Sequence, residues 1–269
     1  MQIDVTFLDE IVKAILLQKK DYLANALKTE AGRAFLMHEH ILNRKTTQKK
    51  IMQSFEQGDN HYNLQWIKQN INQIENVKKH ICENQLEIAG ALESRIEKYT
   101  NAKINPETKI CFYAVGFDGG FYLTGNKLFI NLSQCIDEWF SIVVHELYHS
   151  RKISTITKLR RIFCNLDFFS NIAISYKMRI LCAEEGIATL IENDGKRPSH
   201  YDTFSNQYAD LKRMIMTKEL EADEIWTFFN KHNLRYKIGW LIAYDTYEKG
   251  GSGGLDCWSV EGDIHRYIK

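Results

Sequence analysis

Two textures of apolar spacing alternate along this chain. Up to about residue 100, apolar residues recur at helical intervals. Ile11, Ile15 and Leu16 form one stripe, and Tyr22, Leu23 and Leu27 continue it. Ile71, Ile74, Val77 and Ile81 repeat at spacings of three and four, and Leu86, Ile88, Leu92 and Ile96 do so less strictly. The stretch 101–108, with Pro106, breaks the pattern. KICFYAVG (109–116) is then short, β-branched and aromatic. FYLTGNKLFINLS (121–133) places two strand-like runs around Gly125-Asn126, which is a hairpin signal. These runs predict a small antiparallel sheet of two or three strands over 109–132. Helical spacing returns at Trp139 and holds to about residue 248. The expected fold is therefore α+β and mainly helical. A helical amino-terminal region (1–104) precedes a second domain (105–269) that carries the sheet.

Composition narrows this picture a little. The 269 residues can bury a real core, and 44% hydrophobic with 26% charged residues is ordinary for a globular chain. A formal net charge of +1 gives no bulk electrostatic case for nucleic acid. The first twenty residues lack the parts of a secretory signal, and no apolar run reaches the ~18 residues of a membrane span. Six scattered cysteines form no C-x-x-C pair and read as reduced core thiols, the usage of a cytoplasmic protein. NRKTTQKK (43–50) and SRKISTITKLRRIFCNLDFF (150–169) read as solvated faces. FDGG (117–120) reads as a turn, and GGSGG (250–254) as a flexible surface loop.

The chemistry gathers at VVHELYHS (143–150). Positions i and i+4 share one helix face, so His145 and His149 can offer two imidazole nitrogens to one ion. Glu146 lies about 100° around the helix from His145, placed to take and return a water's proton as general base and acid. The pattern alone arises by chance in about one chain in fifty of this composition. Two histidines in so apolar a helix nevertheless need partners, and a metal satisfies both.

A third ligand is then required. No histidine follows within reach, since the continuation is SRKISTITKL. CAEEGIATLIE (182–192) reads as a second apolar helix with two adjacent carboxylates, Glu184 and Glu185. Glu184 aligns with Ile180, Ile187 and Ile191, and Glu185 with Leu181 and Ala188, so periodicity leaves both open.

HELYH followed by EEGIAT resembles the gluzincin metallopeptidases, which include thermolysin-like proteases and zinc aminopeptidases. The closer resemblance is to bacterial zinc-dependent peptidase domains. These have a short sheet, then H-E-x-x-H, then E-G-x-A, and a late Y-x-x-G, here Tyr236 and Gly239. The likeness covers about residues 109–248. It implies a gluzincin-like metallopeptidase domain that binds Zn2+ through His145, His149 and Glu185. Glu146 would activate the water and Tyr236 would steady the oxyanion, with His232 and His200 as alternatives for that last role. It also implies a peptide or protein substrate, held extended against an edge strand, for which KLFINL (127–132) is the candidate. Two features depart from the family. Glu185 lies thirty-six positions past His149, and Thr189 stands where thermolysin-like enzymes have an aspartate.

Overall fold

The computed structural model describes residues 1–123, 126–151, 159, 162, 171–217 and 220–259. Gly125 and most of the basic segment 150–169 lie outside the described residues. The chain divides into two compact units. The first comprises residues 1–93 and 104–150, the second residues 94–103 and 151–269.

The first unit sets helices around a sheet. The strand β1 (Gln2–Asp4) is followed by helices α1 (Thr6–Leu17), α2 (Lys20–Lys28), α3 (Glu30–Ile41), α4 (Gln48–Gln57), α5 (Leu64–Gln69) and α6 (Ile71–Glu83). The helix α7 (Gln85–Tyr99) begins in this unit, and its last turns belong to the second. Strands β2 (Lys109–Tyr113), β3 (Gly120–Leu123) and β4 (Lys127–Asn131) then lead through α8 (Leu132–Cys135) to α9 (Trp139–His149).

The α+β, mainly helical class is as expected, but the sheet is mixed rather than antiparallel. Its order is β1-β2-β4-β3, and β2 runs parallel to both β1 and β4. Only β3 and β4 form the antiparallel pair that the hairpin signal predicts. The amino-terminal strand escaped the sequence because three residues carry no readable period.

Both faces of the two central strands are covered. Cys111, Tyr113, Phe121 and Phe129 face one way, where Tyr113 meets Phe7 of α1 and Phe35 of α3. Phe112 and Ile130 face the other, toward Trp139 and Ile142 of α9. Burial on both faces explains why β2 and β4 read as continuous apolar runs instead of alternating. The helical stripes are less uniform than their spacing suggests. Ile11 and Ile15 are buried, while Leu16 and Leu86 are exposed.

The second unit is helical among the described residues. It holds α10 (Asn171–Glu192), α11 (Tyr201–Thr217), α12 (Ala222–Lys231) and α13 (Leu234–Trp258). The helices α10 and α13 pack along each other, with α11 and α12 against α13. GGSGG is shorter than a loop of its own. The chain leaves helical geometry at Gly251 (φ 58°, ψ −153°), where two helical stretches of α13 meet, and Gly254 packs against the Thr246 carbonyl. Cys111, Cys135 and Cys182 are buried free thiols, and burial pushes each up to about 12, so they stay protonated. Cys82 and Cys257, read as core positions, are exposed instead. No helix among the described residues is long and apolar enough to cross a membrane.

Candidate metal centre

The first unit supplies the histidine pair. The helix α9 packs on β3 and β4, with Val143, Val144 and Leu147 fully buried. That packing turns His145 inward, where it is only 8% exposed. His149, one turn later, is half-buried, and the two Nε2 atoms stand 3.2 Å apart. Two nitrogens at ~2.0–2.1 Å from a tetrahedral zinc ion are about 3.4 Å apart, so the spacing fits one ion. The same distance accommodates an N–H···N bond between the rings, in which one ring donates.

Glu146 points to a different neighbour. A Cβ placed on Gly120 would come 3.3 Å from Glu146 Cγ and 3.2 Å from Ile142 Cγ2. Gly120 therefore keeps room at the start of β3 for the glutamate stem. FDGG, read as a turn, does more than turn the chain. Asp118 accepts from Arg44 at 2.6 and 3.0 Å and lies 3.2 Å from His38 Nε2, while Phe121 stacks on the His38 ring at 4.0 Å. These contacts tie β3 to α3. The sequence did carry a signal, since adjacent glycines mark close backbone approach, but not what approaches.

The edge-strand expectation needs correcting. KLFINL coincides with β4, which is paired on both sides by β2 and β3. Its backbone groups already serve the ladder. The sheet edge next to α9 is β3.

The two candidate carboxylates lie in the second unit. Glu184 is 5% exposed, and its two oxygens accept from both terminal nitrogens of Arg151, at 2.8 and 3.2 Å. Arg151 is itself 5% exposed. This is a buried, bidentate, charge-assisted pair, which accounts for the carboxylate that the apolar helix could not leave alone. Glu185, about 100° further round α10, is half-buried. Its charge adds to burial in holding the Cys182 thiol protonated. The Thr189 hydroxyl donates back to the Glu185 carbonyl at 2.7 Å, within its own helix.

The glycine after Glu185 has a definite task. A Cβ on Gly186 would fall 2.3 Å from the Gly239 carbonyl, and one on Gly239 would fall 2.6 Å from the Cys182 carbonyl. The two glycines let α10 and α13 cross backbone to backbone. Tyr236 lies one turn before Gly239, hence on the α13 face near that crossing. It is half-buried, with the Arg235 guanidinium 5.0 Å from its ring centre. The alternatives lie elsewhere in this unit: His232 packs on Phe228 at 4.6 Å, and His200 is exposed beyond α10.

A second cluster of metal-type side chains, Asp4, Glu30 and Cys111, occurs in the first unit. Lys109 binds Asp4 at 2.8 Å and Glu30 at 2.7 Å, and Lys127 also binds Glu30. With its carboxylates so paired and its thiol protonated, the cluster is an ion-pair network that fastens β1 and α3 to the sheet.

A family described as "Putative zinc dependent peptidase (DUF5700)" matches residues 13–250. The chain belongs to this family. No curated protein and no solved structure matches it. Membership in this zinc-dependent peptidase family covers both units, including most of the amino-terminal helices that no motif identified.

Proposed function

We propose that the protein hydrolyses peptide bonds with a zinc ion held by His145, His149 and Glu185. The observation that carries this reading is the 3.2 Å spacing of the Nε2 atoms of buried His145 and half-buried His149, in a chain whose family is described as zinc dependent. The donor set of two imidazoles and one carboxylate suits zinc and leaves a position for water. Glu185 is preferred to Glu184 because Arg151 occupies both oxygens of Glu184. When bound, the ion supplies Lewis acidity that brings a water's pKa toward neutrality.

The chain's own groups do the rest. Glu146 accepts the water's proton as the oxygen attacks the scissile carbonyl, then returns it to the departing amine. The Tyr236 hydroxyl donates to the developing oxyanion. Apolar packing around α9 keeps water away and strengthens each of these interactions. The substrate is a peptide or protein segment.

Glu146→Gln tests the assignment. The variant should retain one equivalent of zinc and lose peptidase activity by about 100-fold or more, the scale of general acid–base catalysis. Undiminished turnover by that variant would remove Glu146 from the chemistry. Wild-type protein that holds no zinc after purification without chelators would remove the metal.

A further inference from the structure

Three helices of the second unit converge on a pocket of 330 Å3, near the lower end of ligand-site volumes. Met178, Arg179 and Cys182 line it from α10. Leu211, Lys212 and Ile215 line it from α11, and Ile238 and Ile242 from α13. Each series follows one helix face, and most of the side chains it brings to the pocket are apolar. Met178 and Met216, both on the wall, are unbranched and adapt to a flexible occupant.

The charges at this pocket all have one sign. Arg179 and Lys212 are exposed at its margin, and no aspartate or glutamate lines it among the described residues. Among the described residues neither cation has a carboxylate partner there. Lys212 lies 4.2 Å from the centre of the Tyr208 ring, which holds its ammonium at the pocket wall. Cations beside an apolar cavity offer an anionic ligand charge-assisted contacts that the apolar wall itself lacks.

We propose that this pocket binds a medium-chain aliphatic carboxylate. Its chain would lie among Met178, Leu211, Ile215 and Ile242, and its carboxylate would face Arg179 and Lys212. The split matches the pocket, with an apolar interior and cations at the solvent side. Zinc plays no part in this binding.

The test is calorimetric titration of the full-length protein with decanoate, below its micelle-forming concentration, beside decan-1-ol as the uncharged equivalent. Wild-type protein should bind decanoate saturably at one site. Arg179→Glu and Lys212→Glu should each weaken it about tenfold, as loss of a charge-assisted contact does, and leave decan-1-ol unchanged. Leu211→Trp should fill the cavity and remove both ligands, with an unchanged circular dichroism spectrum. If that variant misfolds, Ile242→Phe provides the same occlusion. The proposal fails if wild-type protein does not saturate, if decan-1-ol binds as tightly as decanoate, or if charge reversal leaves decanoate binding intact.

Discussion

The histidine helix and the glutamate helix present their candidate ligands by different means. In α9 the two rings meet because they are four residues apart on one helix, and the sheet beneath α9 needs only to bury the apolar side. In α10 nothing local separates Glu184 from Glu185. The choice depends on Arg151, thirty-three positions away, and the depth of the helix depends on Gly239, fifty-three positions beyond Gly186. Local geometry makes a motif that can be read. Tertiary partners make a choice that cannot.

The largest effect should come from exchanging the roles of the two carboxylates. Glu185→Ala is expected to weaken zinc binding more than about 100-fold, since even partners outside the coordination shell cost about 10–100-fold. Glu184→Gln should change zinc affinity far less and lower stability instead. Competition with a chelator of known affinity measures the first effect, and urea denaturation the second. If Glu184→Gln loses the metal while Glu185→Ala keeps it, the assignment is reversed.

Next in size is the cost of breaking the buried pair. Arg151→Ala removes the bidentate partner of the buried Glu184 carboxylate, which costs about 3–5 kcal/mol. The double variant Arg151→Met, Glu184→Leu removes both charges and should recover most of that loss, because apolar replacements of buried pairs are often neutral. A double variant as unstable as the single one would mean that the pair is not what burial here requires.

These cases mark how far the sequence reaches. The helix spacing, the β-branched texture of 109–116 and the H-E-x-x-H face all follow from short-range periods, and each was legible. Arg151 sits two residues after His149 in plain view, but its partner is chosen by packing, so it read as part of a solvated basic run. Gly120 was read as part of a turn because a glycine does not announce which side chain needs its space. The parallel pairing of β1 with β2 was hidden because its register is set by a partner a hundred residues away. GGSGG misled only in part, since its composition argues for a loop, and the chain does leave helical geometry at Gly251 but resumes it directly afterwards.

A smaller effect tests the glycine crossing. Gly186→Val puts side-chain atoms where the Gly239 backbone already lies, and α10 must shift to relieve the overlap. Overpacking of this kind costs about 1–3 kcal/mol. Because Glu185 precedes Gly186, the same shift should weaken zinc binding. The corresponding change in the first unit, Gly120→Ala, meets only side-chain atoms at 3.2–3.3 Å. It should leave stability and zinc nearly intact and lower kcat about tenfold through Glu146, the scale expected when a catalytic group is slightly misplaced. Equal zinc loss in both variants would show that neither glycine acts through the neighbour assigned to it.

The smallest effect concerns the amino-terminal strand and its pH dependence. Lys109 and Lys127 are directly opposed in the parallel β2–β4 pair, an arrangement that repels unless an anion intervenes. Glu30, in the first turn of α3, supplies that anion, and the hydrogen bonds from Lys109 and Lys127 hold its carboxyl below the usual range. Burial works against ionisation of Asp4, but its bonds with Lys109 and Thr6 prevail and hold it low as well. A carboxyl whose folded pKa is depressed stabilises the fold above its unfolded pKa. That contribution is lost as pH falls through the folded value. The stability gap between wild type and Glu30→Gln should therefore be widest near neutrality and shrink progressively below about pH 4.5. These groups are half-buried but still reached by solvent, so the gap should stay at about 1 kcal/mol and narrow in high salt. Urea midpoints measured from pH 7 to pH 3 would show it. A gap that widens on acidification would mean that Glu30 is not ionised between the two lysines, and the anchoring of α3 to the sheet would then need another cause.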